Sequence, residues 1–156
     1  MVTRVLVALG SNVGDRAGYV REAMDRLETL AEDVVERSAI YMTDPQDMED
    51  DAEEFANAAV SFRTRLTAVD LLSALQAIEV DMGRPRDHER NVSRTIDLDI
   101  IDFGGTELAS KALTLPHPRA HERMFVLMPL MELAPDLALQ GRTVRERLRG
   151  LLGAAD

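Results

Sequence analysis

Two aspartates separated by one residue, in the run Thr95-Ile96-Asp97-Leu98-Asp99-Ile100, are the sharpest chemical feature of this chain of 156 residues. On a strand alternate residues share a face, so both carboxylates would project together from Cα atoms about 6.6 Å apart. Ile96, Leu98 and Ile100 would take the opposite face and fix the register, because a slip of one residue would turn the acids into the core. Two hard oxygen ligands on a stiff strand suit Mg²⁺, which keeps several waters and draws its remaining ligands from a polyphosphate. By spacing alone, a pair of solvated acids on an edge strand is the commoner meaning of this pattern. The preceding segment, Arg84-Pro85-Arg86-Asp87-His88-Glu89-Arg90-Asn91-Val92-Ser93-Arg94, shifts the balance. It places four arginines against two acids in a chain whose net charge is −10. A guanidinium fork matches phosphate oxygens, so arginines beside a carboxylate pair supply the parts of a metal–polyphosphate site. Without the acids the same segment reads as a surface loop of mixed charge.

Other residues are open to two readings. His117 is bracketed by Pro116 and Pro118 and followed by Arg119, His121 and Arg123, a set that could donate hydrogen bonds to phosphate oxygens or a leaving group. A lone histidine is more often structural. Phe55 and Asn57 share a strand face, where an aromatic plate and an amide could read a flat heteroaromatic ring; an edge residue and a turn amide is an equal reading. Gly10-Ser11-Asn12-Val13-Gly14 resembles a phosphate-cradling turn, but it lacks the Gly-Lys-Ser/Thr ending of a P-loop and matches no dinucleotide fingerprint.

Composition bounds the function. The 18 Lys+Arg against 28 Asp+Glu argue against broad association with nucleic acid or an anionic membrane. With no cysteine there is no disulfide, thiolate metal site or cysteine nucleophile, which fits a cytoplasmic protein. The N-terminal apolar run Val5 to Leu9 is too short for a membrane span or signal core and reads as a buried strand. Arginine is abundant throughout and by itself proves nothing. From Asp44 to Glu54 run seven acids and no basic residue, which predicts a solvated loop.

The elements that must position these residues follow from periodicity. After the first strand, Gly10 to Gly14 reads as a turn, Asp15 as a cap, and Val20, Ala23, Met24, Leu27 and Leu30 as the apolar stripe of a helix. Val34 to Met42 reads as a strand, as does Phe55 to Arg63, with Ala56, Ala58, Val60 and Phe62 on its core face. Thr67 caps a second helix with stripe Leu71, Leu75, Ile78 and Met82, which Gly83 stops. A strand from Ile96 to Phe103 follows. Pro129 and Pro135 bound a short helix, and Thr143-Val144-Arg145-Glu146 caps a last one. The expected fold is α+β: a ferredoxin-like antiparallel sheet in the order βαββαβ, with helices on one face and a C-terminal helical extension, in one domain over 1–156. The other face is expected to be open.

Taken together, the sequence resembles the 6-hydroxymethyl-7,8-dihydropterin pyrophosphokinase family of folate biosynthesis. The matching stretches are Ala8-Leu9-Gly10-Ser11-Asn12 with Gly14, Tyr41-Met42-Thr43, Phe55-Ala56-Asn57-Ala58-Ala59-Val60, and Ile78-Glu79 with Gly83-Arg84 and Arg86. Arg94-Thr95-Ile96-Asp97-Leu98-Asp99-Ile100, Leu115-Pro116-His117-Pro118, Arg123, Phe125 and Pro129-Leu130 complete them. The resemblance implies an ATP-dependent pyrophosphokinase that moves the terminal pyrophosphoryl group onto the pterin's hydroxymethyl oxygen and releases AMP. It implies two Mg²⁺ ions on Asp97 and Asp99, with Arg84 and Arg94 also catalytic. It further implies ATP contacts at Gln76, Glu79, Arg84, Arg86, Arg90, Arg94, Ile100, Thr114, His117 and Arg123, and pterin contacts at Thr43, Phe55, Asn57 and Phe125. The expected protein is a monomer. The chain departs from the family's pattern at Asn91, where a Trp is common, at Val92-Ser93 in place of Gly-Pro, at Pro118, and across Asp44 to Glu54. Two readings compete: a non-enzymatic ferredoxin-like module that binds a small ligand, and a pyrophosphoryl or nucleotidyl transferase with another acceptor.

Overall fold

The computed structural model describes residues 1–43, 54–83 and 95–153. At its centre β1 (Thr3–Ser11) lies between β4 (Ala56–Thr64) and β5 (Asp97–Phe103), while β2 (Glu36–Arg37) and β3 (Tyr41–Met42) both pair with the far edge of β4. Every pairing is antiparallel, so the class is α+β with an antiparallel sheet. The alternation expected from the sequence sorts side chains onto two faces. Val5, Val7, Leu9, Ala58, Val60, Phe62, Leu98 and Ile100 meet the stripes of α1 (Arg16–Leu27) and α2 (Ala68–Asp81) in the main core. Fully burying one such large apolar side chain stabilises the fold by about 1.5–3 kcal/mol. Asp15 Oδ1 accepts the Gly18 N–H at 3.1 Å, and Thr67 Oγ1 accepts the Asp70 N–H at 3.1 Å, so both expected caps form. Beyond α2, Gly83 takes a φ of 109°, which a side chain would resist.

The second face is only partly open, a correction to the expectation. Leu6, Ala59 and Ile101 pack against Val126, Leu127 and Leu130 of α3 (Met124–Leu133) and Val144 of α4 (Val144–Gly153). Small Ala59 lets α3 lie close to the sheet. The covered end holds Leu6 and Ile101; Ala8 borders that layer, and with Gly10, Asn57, Asp97 and Asp99 it lines a cavity. α3 also starts earlier than the prolines suggest and contains Pro129, which has no N–H to give the Phe125 carbonyl. Burial of Val126, Leu127 and Leu130 outweighs that lost bond. The α4 cap forms as a reciprocal box: Thr143 Oγ1 accepts the Glu146 N–H at 3.1 Å, and Glu146 Oε1 accepts the Thr143 N–H at 3.2 Å.

Two irregularities depart from the sequence pattern. The strand expected over Val34 to Met42 is split, because Arg37 faces Val60 while Tyr41 faces Asn57, leaving one extra residue on the outer strand. Ser38 stabilises the break, donating its N–H to the Ala59 carbonyl at 2.9 Å and accepting the Ala59 N–H on Oγ at 2.8 Å. In β5, Leu6 faces Asp102 but Val7 faces Ile100, so Ile101 is a bulge. Two short hairpins, β6 (Leu108–Ala109) with β7 (Thr114–Leu115) and β8 (Ala138–Leu139) with β9 (Arg142–Thr143), have arms of two residues and leave no periodic signal. Among the described residues no helix is long and apolar enough to cross a membrane.

Candidate active site

A cavity of about 890 Å³ opens over the uncovered end of the sheet. Asp97 and Asp99 stand on its floor, opposite Gly10 and Ala8 of β1. Their shared face is enforced from behind, since Leu98 and Ile100 are buried in the main core. Asp97 is half-buried and Asp99 exposed. Between them, the Leu98 N–H donates to Glu79 Oε2 at 2.9 Å, so a buried carboxylate of α2 braces the strand that carries the acids. Ser11 Oγ donates to the Thr95 carbonyl at 2.6 Å and ties the end of β1 to the approach of β5.

Across the floor, Asn57 is 5% exposed, and its Nδ2 donates to Thr43 Oγ1. That bond fixes the orientation of the amide and turns Oδ1 toward Gly10, where it can accept from a ring N–H. Thr43 is held in turn by its N–H to the Phe55 carbonyl at 2.8 Å. Phe55 and Phe125 both line the cavity, and Phe125 is 43% exposed, so an aromatic face is available to a ligand. The rim adds Met42, Met124 and Met128, all exposed, which sequence reasoning missed. Helical spacing from Met124 to Met128 was the available signal. Gly10, read from sequence as part of a turn, is instead the last-but-one residue of β1 and part of the floor.

His117 follows a cis Leu115–Pro116 bond and is hooked to the β5 bulge by its N–H to the Ile101 carbonyl at 2.9 Å. Its Nδ1 accepts the Arg119 N–H at 3.2 Å, which places the proton of the neutral ring on Nε2. Burial pushes the imidazole below its ordinary pKa; nearby Asp99 opposes that, and Arg123 and Arg119 add to it. The result is a neutral donor close to the acid pair. Arg123 precedes the first residue of α3, where its carbonyl accepts the Val126 and Leu127 N–H groups, and it lines the cavity.

Four of the predicted nucleotide residues lie elsewhere. Gln76 is exposed on α2, Thr114 is exposed on β7, and Glu79 is buried against β5. Ile100 has its side chain in the main core, so only its backbone is left to meet a ligand. None of these four lines the cavity, and neither does His117. Arg84, Arg86, Arg90, Asn91 and Arg94, and residues 44–53 of the acidic stretch, lie outside the described residues. Among the described residues no cluster of three or more His, Cys, Asp or Glu could hold a metal, and the acid pair could offer two carboxylate ligands to an ion that took the others from substrate and water.

An acid pair and an arginine in one cavity with two phenylalanines, and a histidine near Asp99, offer the parts of a group-transfer site on an antiparallel α+β sheet. A family profile described as 7,8-dihydro-6-hydroxymethylpterin-pyrophosphokinase (HPPK) matches residues 6–135. The chain is 43% identical over 151 residues to the 2-amino-4-hydroxy-6-hydroxymethyldihydropteridine pyrophosphokinase of Methylorubrum extorquens, covering 96% of this chain and 94% of that one. Its identity to the protein of the same name from Pseudomonas aeruginosa is 44% over 150 residues, covering 95% and 91%. A solved Plasmodium falciparum HPPK-DHPS chain shares the fold with a TM-score of 0.76 at 14% identity; the match covers 98% of this chain and spans 45% of that longer one. The chain belongs to the HPPK family, and is with it a pyrophosphokinase.

Proposed function

We propose that the chain transfers the terminal pyrophosphoryl group of ATP to the hydroxymethyl oxygen of 6-hydroxymethyl-7,8-dihydropterin in folate synthesis, releasing AMP. The observation that carries this reading is the shared floor: Asp97 and Asp99 open into the same cavity as Asn57, Phe55 and Phe125. The pterin lies against the two phenylalanines, with Asn57 Oδ1 accepting from its N–H edge and Thr43 holding the amide in place. Its hydroxymethyl group then points toward the acids. Two carboxylates on alternate residues of one strand are hard donors fitted to Mg²⁺, and two such ions would neutralise the triphosphate and align it for in-line attack.

The remaining roles fall to this chain's own side chains. His117 donates from Nε2–H to a phosphate oxygen without adding a charge that would compete for the acids. Arg123 faces the same oxygens from the start of α3. Arg84 and Arg94 stabilise the transferring group, and Arg86 and Arg90 cover the triphosphate, as the family resemblance implies. Gln76, Thr114 and the backbone of Ile100 form the purine end beyond β5, with Glu79 shaping that edge through its bond to Leu98. The architecture is read as ferredoxin-like, because the sheet order β2/β3, β4, β1, β5 with α1 and α2 on one face supports it. The chain acts as one domain over 1–156, as a cytoplasmic monomer with no nucleic-acid or membrane partner.

Incubation with ATP, Mg²⁺ and 6-hydroxymethyl-7,8-dihydropterin should yield AMP in equal amount to pterin consumed. ADP as product, or turnover independent of the pterin, rejects the assignment.

A further inference from the structure

The split in the outer strand is held from outside the sheet. Ser38 occupies the Ala59 carbonyl and N–H, which leaves the next backbone donor, Ala39 N–H, facing away from β4. It is met by Glu132 in the last turn of α3, whose Oε1 and Oε2 each lie 3.2 Å from the Ala39 nitrogen. The same carboxylate accepts the Tyr41 hydroxyl. Tyr41 is the residue at which pairing with β4 resumes, opposite Asn57, and its side chain lines the cavity. Two residues later comes Thr43, which orients the Asn57 amide.

We propose that Glu132 is a positioning residue for the acceptor half of the site: by gripping Ala39 and Tyr41 together it sets the register that brings Thr43 to Asn57. Glu132 is not among the residues lining the cavity. Its other role is to tie the two walls together, because α3 begins at Met124 and Phe125 on the opposite rim. Loss of the grip lets the bulge relax, and a shift of one residue would turn Tyr41 and Thr43 to the other face. The carboxylate bond, with burial second, raises the Tyr41 phenol to about 12, an optical signature of the contact.

The proposal rests on the pyrophosphokinase reading, so wild-type activity is measured first; absence of AMP formation rejects that reading and leaves the contact itself to the phenol titration. With activity present, Glu132→Ala should raise KM for the pterin about tenfold, the loss expected for a charge-assisted bond, while KM for ATP and kcat stay within twofold. Glu132→Gln, which keeps an acceptor, should recover most of that loss, and Tyr41→Phe should reproduce part of it. In Glu132→Ala the later of the two tyrosine ionisations, followed at 295 nm, should fall toward pH 10. A merely structural role would lower the melting temperature of Glu132→Ala without moving pterin KM in the folded protein, and that result overturns the proposal. Should Glu132→Ala fail to fold, an unchanged pterin KM in Tyr41→Phe overturns it equally.

Discussion

Gly10→Ala separates the floor of the acceptor slot from the stability of the sheet. The added Cβ would lie 3.5 Å from Asn57 Oδ1, 3.8 Å from Phe55 Cδ1 and 3.9 Å from the Ala56 carbonyl oxygen. All three are ordinary van der Waals distances, and the residue lies in regular pairing with Asn57 and Asp97, so the fold should change by no more than about 1 kcal/mol. The methyl group nonetheless covers one side of Oδ1, the amide atom left over once Nδ2 has gone to Thr43. Depriving a ring N–H of a buried acceptor costs about 1–3 kcal/mol, which is roughly a 5- to 150-fold rise in KM for the pterin. Initial rates of AMP formation against pterin at saturating ATP give that number, and a thermal melt supplies the control. An unchanged KM with an unchanged melt refutes the role of Oδ1; a collapsed melt refutes the packing argument.

Asp97→Ala should abolish turnover and leave the melting temperature within a few degrees, and appreciable activity in that variant removes the metal assignment. The half-buried imidazole of His117 makes stability fall in acid: the unfolded chain takes up its proton near pH 6.5 and the folded one only lower, so the unfolded state binds more protons as pH drops. Melts of the wild type from pH 7.5 to 5 should therefore decline more steeply than those of His117→Gln, and parallel declines would count against the burial argument. Thr143→Ala should destabilise the protein by about 1 kcal/mol, lowering its melting temperature by about 2–4 °C with no effect on activity. No change in the melt would mean that α4 does not depend on its capping box.

Features set by local chemistry were readable in the chain. Asp15, Thr67 and Thr143 cap helices because each carries an acceptor three residues before an orphan N–H, a relation contained within one turn. Asp97 and Asp99 share the cavity because Leu98 and Ile100 must be inside. What escaped depends on partners distant in sequence. The break at Ser38 is stabilised by Ala59 and Glu132, and the bulge at Ile101 by His117, so neither leaves a mark in local periodicity. Pro129 misled for the same reason: its cost to the helix is local, while the burial that offsets it comes from the sheet. The resemblance implies a nucleotide contact at Glu79; that its carboxylate also accepts the Leu98 N–H is a role that only the packing of α2 on β5 makes visible.

The extra residue at Ile101 also constrains how the chain can vary. Upstream of it the acids at 97 and 99 point to the cavity; downstream, Phe103 enters the layer beneath the first two helices while Asp102 pairs with Leu6 on the far side. Deleting that extra residue would leave Leu6 opposite Asp102 and Val7 opposite Ile100 in an unbroken ladder, but it would remove Ile101 from the layer against α3 and unhook His117. Homologous chains should therefore tolerate indels freely in the β6–β7 hairpin and hardly at all between Asp99 and Phe103, a contrast that a length-scanning library can read directly.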